Sequence, residues 1–351
     1  MVKTLLLEME KVQYPHTGLG QFCKYFGTYL LKQPKLSVEP IFYLPKSQLD
    51  LFGANIHTET IHKITRIFSS FGPHTDIWHS LHQTSPYMPA HANTRYILTI
   101  HDLNFLYSKP PHKVKKYLAR LQKKIDRAEM LTTISHYVAA DIRKHCSIGD
   151  KLIHVIHNGV ELPSLNEMTQ PKTAITDRPF LLCLGRIWPP KNQHILIPLL
   201  ARLPDFVLVL AGDPDKSYLK KIMQLAQQYR VTDRLVLIGT VTDSEKIWLY
   251  KNCTGLVHPA LTEGFGFPVI EAMRFGKPVF LAKHTCLPEI GGPEAYYFNS
   301  EDAADMANLI INGLDQYRRD PLQAQRIKEW SDQFNWQNAL QHYVALYQML
   351  A

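Results

Sequence analysis

Nine consecutive residues in the second half of the chain, Glu263-Gly264-Phe265-Gly266-Phe267-Pro268-Val269-Ile270-Glu271, join two carboxylates to a glycine turn and a helix start. Backbone N–H groups at a helix N-terminus attract phosphate or sugar oxygens, and carboxylates accept hydrogen bonds from sugar and ribose hydroxyls. Eight residues of separation put the two carboxylates about two helical turns apart, Glu263 on the loop and Glu271 inside the helix. Pro268 suits the first helical position and Gly276 the stop. Upstream, Leu184-Gly185-Arg186-Ile187-Trp188-Pro189-Pro190-Lys191-Asn192 offers a planar guanidinium and a point-charge ammonium between a strand and a helix, a pair suited to a diphosphate. Taken singly, either segment could be a surface loop with solvated charges.

Weaker candidates lie in the first half. Tyr14-Pro15-His16-Thr17-Gly18-Leu19-Gly20-Gln21 resembles a phosphate-approach loop without the full dinucleotide fingerprint; alone it reads better as a glycine turn. His101-Asp102 ends a strand, where the imidazole could donate to a sugar hydroxyl and Asp102 could accept one. Ser135 reads as an N-cap and Asn158-Gly159 as a turn. The close histidine pairs, His79 with His82 and His154 with His157, fall on predicted strands, where residues three apart face opposite sides. No metal is therefore expected.

The elements that must carry these residues alternate between apolar β-type runs and helical patterns, the mark of an α/β protein with mostly parallel sheets. In the first half the strands are Thr4–Met9, Val38–Leu44, Asp76–Leu81, Tyr96–Ile100, Met130–Ile134 and Ile153–His157, with helices Gly20–Lys32, Pro111–Arg127 and His136–His145. A polar, proline-bearing stretch from Glu161 to Asp177 reads as a linker. Beyond it, Phe180–Leu184, Phe206–Ala211, Leu235–Gly239, Gly255–His258 and Pro278–Ala282 read as strands buried on both faces, and Leu219–Tyr229 and Val269–Phe275 as helices. Pro198 predicts a kink in the helix after Pro190. Ala303 to Ala351 reads as helical throughout, with an apolar period in Trp336–Leu350. The expected domains are residues 1–165, residues 178–332 and a final helix over 333–351. Two open parallel sheets leave a cleft at their carboxyl edges, where ligands bind in such folds.

In this order the motifs resemble those of the retaining glycosyltransferases of family 4, which have the GT-B architecture. The resemblance runs along most of the chain. It is best over 180–283, on Gly185-Arg186 with Lys191 and on Glu263 with Glu271 around Gly264-Phe265-Gly266, and weaker at Thr17-Gly18-Leu19-Gly20, His101-Asp102, Thr133-Ile134-Ser135 and His157-Asn158-Gly159-Val160. It implies two Rossmann-like domains facing across a cleft, an acceptor-binding N-terminal domain, a nucleotide-sugar-binding C-terminal domain, and a last helix crossing back to the N-terminal domain. It also implies that Arg186 and Lys191 hold the donor diphosphate, that Glu271 takes the ribose, and that Glu263 with the amides of Phe265 and Gly266 contacts the transferred sugar. Gly18 or Gly20 would lie near the phosphates and His101 near the donor sugar. His101 and Glu263 are thus the candidate catalytic residues; Gly18, Gly20, Arg186, Lys191, Gly264, Phe265, Gly266, Phe267 and Glu271 are the candidate donor-binding residues. The implied reaction needs no cofactor or metal. A His-Asp-Leu run like His101-Asp102-Leu103 occurs in members that transfer mannose to surface polysaccharides, which makes GDP-mannose the first donor to consider and a glycan or lipid-linked molecule the acceptor. Two departures bear on donor identity: the usual serine is Ala260 and the usual aromatic is Thr262. The competing readings are a nucleotide-sugar epimerase or phosphorylase on the same architecture, or a non-catalytic nucleotide-sugar-binding protein. No motif marks the lysine a pyridoxal phosphorylase would need.

Composition agrees with an enzyme of this kind: 351 residues, 45% hydrophobic and 20% charged, enough for two cores. Glu8 and Glu10 come too early for a signal peptide, no apolar run reaches the roughly 18 residues of a spanning helix, and five unpaired-looking cysteines suit a reducing compartment; a cytoplasmic protein is expected. Residues 1–165 hold 20 Lys/Arg against 12 Asp/Glu, the whole of the net +8, whereas residues 166–351 balance at 19 and 19. No nucleic-acid-binding signature accompanies this charge. It is densest over 109–127, where Lys113, Lys115, Lys116, Arg120, Lys123, Lys124 and Arg127 share a predicted helix with Tyr117, Leu118, Leu121 and Ile125 at helical spacing. That helix is a candidate peripheral contact with anionic membrane.

Overall fold

The computed structural model describes residues 2–351 except 16, 35, 67–71, 163–167 and 174–176. His16 and much of the expected linker therefore lie outside the described residues. The chain divides into two compact units: residues 1–159 with 334–351, and residues 160–333.

The first unit runs β1 (Lys3–Glu8), α1 (Gly18–Leu30), β2 (Val38–Leu44), β3 (Thr58–Thr60), β4 (Ile77–Ser80), β5 (Arg95–Ile100), α2 (Phe105–Ser108), α3 (Pro111–Arg127), β6 (Met130–Thr133), α4 (His136–His145) and β7 (Ile153–Val155). Its parallel sheet has the order β3-β2-β1-β4-β5-β6-β7. The second unit holds β8 (Phe180–Leu184), α5 (Leu196–Ala201), β9 (Val207–Ala211), α6 (Lys216–Gln228), β10 (Leu235–Gly239), α7 (Asp243–Asn252), β11 (Gly255–His258), α8 (Phe267–Arg274), β12 (Val279–Ala282), α9 (Leu287–Gly291), β13 (Tyr296–Phe298), α10 (Ala303–Arg319) and α11 (Gln323–Asp332). Its parallel sheet has the order β10-β9-β8-β11-β12-β13. In each sheet the order reverses once, between β1 and β4 and between β8 and β11. Chain leaving these neighbours diverges to opposite faces, which opens a crevice at their carboxyl ends.

The last helix, α12 (Trp336–Leu350), belongs to the first unit. Its buried Trp336, Leu340, Tyr343, Tyr347 and Leu350 recur at helical spacing and join the core of α1 and the sheet. The rings of Phe22 and Trp336 lie 5.5 Å apart and those of Phe26 and Tyr343 4.9 Å apart. Under this apolar contact sits a polar one. His79 bonds Tyr347 through Nδ1 at 2.7 Å and Thr99 through Nε2 at 2.8 Å. Burial pushes the His79 pKa down to about 3, so the imidazole is neutral at working pH. Lys3 and Arg95 donate to the carbonyl of Leu350, satisfying an orphan acceptor at the helix end.

Three expectations need correction. The tail, expected to be helical throughout, is interrupted twice, between α10 and α11 and before the final helix. Asp320, whose side chain accepts from Leu322 N, marks the first break, and Asn335, which caps α12 by accepting from Asn338 N, marks the second. Pro198 kinks nothing: the segment after Pro190 is two 3-10 turns parted by left-handed Asn192 (φ 60°), and Pro198 falls in the first turn of α5, where its missing N–H costs no helical bond. β3 and β13 are additional three-residue strands, and β10 is half-buried rather than enclosed.

Gly159 packs so tightly that an added Cβ would stand 2.3 Å from the backbone nitrogen of Trp336. Gly159→Ala should force the start of α12 outward, at a cost of about 1–3 kcal/mol. The melting temperature should fall by several degrees; an unchanged melting temperature would show that α12 is not fixed there.

Candidate functional site

The two strongest sequence segments meet at the β8/β11 reversal. Residues 185–192 leave β8 and residues 259–266 leave β11, and the carbonyl of Pro190 ties them by accepting from Leu261 N (3.0 Å) and Thr262 N (3.4 Å). Gly185 (φ 133°) and Gly212 (φ 147°) hold left-handed backbone beside this junction. A Cβ on Gly212 would stand 2.0 Å from the Gly185 carbonyl oxygen, so the loop after β9 could not come this close to the loop after β8 with a larger residue at 212.

Glu263 lies at the centre of this junction. Its Oε2 is in ion-pair contact with Lys191 Nζ and 3.1 Å from Nε2 of buried His258, the last residue of β11. Its Oε1 accepts from Gly264 N at 3.3 Å, and Cys286 Sγ donates to its carbonyl at 3.4 Å. Burial alone would raise the Glu263 pKa. The Lys191 ammonium and His258 outweigh it and hold the carboxyl well below the usual range. Gly266, at φ 95°, then caps α8, whose second residue is Pro268. Phe265 is buried and meets the half-buried ring of Phe267 edge-on at 5.2 Å, so the side chain of Phe265 serves the core and its backbone the loop.

Glu271 is buried on α8 with both oxygens engaged. Lys246 Nζ approaches Oε1 at 2.9 Å and Tyr250 Oη donates to Oε2 at 2.6 Å. Lys246 and Tyr250 are four apart on α7, on one face. Arg186, by contrast, leaves 56% of its side chain exposed, loosely paired with Asp213 at 4.0 Å and stacked over Trp188 at 5.1 Å. The junction thus brings together the ammoniums of Lys191 and Lys246, each held on a carboxylate, the solvent-open guanidinium of Arg186, and the oriented carboxylates of Glu263 and Glu271 on either side of a helix start.

In the first unit His101 is buried and its Nε2 lies 2.8 Å from the carbonyl of Leu81. That carbonyl can only accept, so Nε2 carries the hydrogen and Nδ1 the lone pair. Burial pushes the pKa down to about 4. The expectation that the ring donates to a sugar is therefore corrected: as oriented it can only accept, through Nδ1. Gln83 clamps the same turn, accepting from His101 N (3.0 Å) and donating to the Asp102 carbonyl (2.9 Å); Lys124 Nζ in turn donates to the carbonyls of Gln83 (3.0 Å) and Ser85. Asp102 Oδ1 accepts from Asn104 N at 2.9 Å. Gly18 is exposed at the start of α1. The amide of Gly20 is taken by Thr17 Oγ1 at 3.1 Å, and a Cβ on Gly20 would stand 2.0 Å from the Tyr14 carbonyl oxygen. Packing thus accounts for Gly20, and its amide is not offered to a phosphate. Ser135 caps α4 by accepting from Val138 N.

Sequence reasoning missed His258, Gln83, Lys246 and Tyr250. Only the last two carried a signal, their spacing of four on one helix. It also placed Lys124 on a solvated cationic face, whereas Lys124 is buried and its burial lowers the pKa to about 8. Arg127 is half-buried, donating to the carbonyls of His91 and Thr94.

Replacing Lys191 by methionine should let burial dominate at Glu263. Its pKa should move from below to above the ordinary value of about 4.3, as read by carboxyl-carbon NMR titration. In the wild type the depressed pKa makes this site's stability contribution complete above the ordinary value, to be lost only as pH falls through the folded one. A Glu263 that titrates identically in both proteins would remove Lys191 as the cause.

Similarity to known proteins follows the same division. Residues 166–330 match the model of Glycosyl transferases group 1, and residues 39–163 that of Glycosyltransferase Family 4. The serotype-specific mannosyltransferase WbdA of Escherichia coli is 29% identical over 261 residues, 69% of this chain and 32% of its own length. The O-antigen chain mannosyltransferase RfbU of Salmonella typhimurium is 27% identical over 218 residues, 61% of this chain and 60% of its own. The chain thus spans about a third of the first relative and three-fifths of the second. In fold it is similar to Anabaena HepE, solved in complex with UDP and glucose, with a TM-score of 0.76 over 99% of this chain and 100% of that one at 18% identity. With one model on each half, the chain belongs to the glycosyltransferases these models describe, Glycosyltransferase Family 4 over residues 39–163 and Glycosyl transferases group 1 over residues 166–330.

Proposed function

We propose that this glycosyltransferase moves a hexose, mannose from GDP-mannose in the first instance, from a nucleoside-diphosphate donor to a glycan or lipid-linked acceptor of a cell-surface polysaccharide, with retention and without a metal ion. The observation that carries this reading is the Lys191–Glu263 pair at the β8/β11 reversal. A diphosphate placed at this crevice would draw Lys191 away from Glu263, and solvent-exposed Arg186 would supply a second positive group. Glu263, still supported by His258, would then offer an ionised carboxylate to a hydroxyl of the sugar in transfer. Glu271, oriented by Lys246 and Tyr250, would accept from the ribose. Charge developing on the leaving diphosphate would meet the two cations and the N-terminus of α8, which is electrostatic stabilisation of the kind a metal ion provides elsewhere. The names of the mannosyltransferase relatives favour mannose.

Arg186→Ala and Lys191→Ala should each lose about 10- to 100-fold or more in kcat/KM, the value of a charge-assisted hydrogen bond. Activity within about twofold of wild type in both would end this assignment. Chelator should leave the rate unchanged, and NMR of the product should show the donor's anomeric configuration. An inverted product would refute retention and turn attention to a carboxylate base such as Asp102. Tight donor binding with no release of nucleoside diphosphate, across acceptors, would favour a binding protein instead.

We also propose that α3 brings the enzyme to anionic lipid. Lys113, Lys115, Lys116, Arg120 and Lys123 are exposed on it, beside exposed Tyr107 and Tyr117, and basic residues near such a surface contribute about 1 kcal/mol each. Among the described residues no helix is long and apolar enough to cross a membrane. Wild type should sediment with phosphatidylglycerol-rich vesicles at low salt and release at high salt, as screened charge requires. An unchanged pelleted fraction after Lys113, Lys115, Lys116 and Lys123 are all changed to Glu would exclude this helix.

A further inference from the structure

The carboxyl ends of β11, β12 and β13 frame a cavity of about 330 Å³ within the second unit. Ile195, Pro259, Ala282 and Phe298 supply its apolar surface, and Lys283, His284, Asn299, Ser300 and Glu301 its polar groups. It adjoins the donor site by two short routes. Pro259 directly follows His258, the partner of Glu263. Asn192, which directly follows Lys191, donates from Nδ2 to Glu301 Oε1 at 2.9 Å. The side chains of Lys283 and Asn299 have no hydrogen-bond or ion-pair partner among the described residues. The turn that presents Lys283 is held by Thr285, a β-branched residue at φ 59° whose hydroxyl donates to the carbonyl of His284 at 2.7 Å.

Resting on the glycosyl-transfer reading above, we propose that this cavity is an outlying subsite, additional to the acceptor site expected in the first unit, for one uncharged sugar residue of the glycan acceptor. A sugar hydroxyl both donates and accepts. The lining meets it with the Lys283 ammonium, which only donates, the Glu301 carboxylate, which only accepts, and the Asn299 amide, Ser300 hydroxyl and His284 imidazole, which each offer a donor and an acceptor. Lys283 and Glu301 cancel in charge, which disfavours a phosphate or a nucleotide relative to a neutral polyol. The apolar surface suits the C–H face of a pyranose ring. The volume lies at the lower end of the roughly 300–1,000 Å³ of small-molecule pockets, the size of a single ring rather than a nucleotide.

The test uses the full chain with methyl α-mannopyranoside and α-linked mannobiose as probes, read by saturation-transfer-difference NMR titration with and without GDP. Wild type should show saturable binding. Asn299→Ala and Lys283→Ala should each weaken it by at least about fivefold, the loss of one hydrogen bond. Asn299→Trp, which fills the cavity from an exposed position, should abolish it, and all three variants should keep the wild-type thermal shift with GDP. Probe binding that survives Asn299→Trp unchanged, or a wild type that none of the probes saturates, overturns the subsite. The donor reading fails separately: GDP, UDP and their sugars would then give no thermal shift while probe binding still depended on Asn299.

Discussion

A carboxylate held ionised in a largely enclosed position is the constraint around which the second unit is built. Glu263 has only 15% of its side chain exposed, and burying a charge without a partner costs several kcal/mol. Lys191 supplies the partner, and it comes from the other arm of the strand-order reversal. The loops after β8 and β11 that carry the pair are tied at Pro190, and Gly212 lets the loop after β9 close against Gly185 on the first of them. His258 fixes the remaining freedom of the carboxylate from within the sheet. Elements distant from the site are therefore needed to keep it: moving β11 relative to β8 would separate the charges and leave both at a loss.

The two glutamates on either side of the start of α8 are handled in different ways, and the difference suits the roles proposed for them. Glu263 is paired with one ammonium that a competing anion could take. Glu271 is held by two groups from α7, an ammonium and a phenol, in a site that burial makes rigid. In the first unit the corresponding reversal, between β1 and β4, carries a pair within one loop, Lys11 Nζ with Glu10 Oε2 at 2.7 Å. It buries Glu8, whose enclosure raises its pKa to about 7, and uses Lys124 and Gln83 to fix the turn at His101. The imidazole there is neutral, its one hydrogen committed to Leu81, so it presents a lone pair and cannot serve as an acid.

Much of this was legible in the sequence because the parallel strands are enclosed and read as uninterrupted apolar runs. Phe180–Leu184 and Gly255–His258 fall at the residues expected from such runs, as do Val38–Leu44, interrupted only by Glu39 and Pro40, and half-buried Leu235–Gly239. The short edge strands were not legible: Thr-Glu-Thr of β3 carries no apolar run, and Tyr-Tyr-Phe of β13 is too brief to show a period. The breaks in the tail depend on side-chain-to-backbone bonds at Asp320 and Asn335, which periodicity does not register. In the site, Glu263, Glu271, Arg186 and Lys191 were recognisable because charges beside glycine and proline stand out. His258 was not, since a histidine ending a strand looks like any other core position. Lys124 was misplaced because a helical wheel cannot say that a lysine three residues after buried Leu121 will turn inward to satisfy two loop carbonyls.

The central claim is that Lys191, borrowed from Glu263, receives the donor diphosphate. Calorimetric titration with nucleoside diphosphates and their monophosphates, GDP against GMP and UDP against UMP, tests this most directly. For the nucleotide the enzyme uses, the account predicts that the diphosphate binds at least about tenfold more tightly, a difference of about 1.4 kcal/mol, and that Lys191→Met erases most of that ratio. Equal affinities for the diphosphate and monophosphate, or a ratio that survives the loss of Lys191, would contradict it.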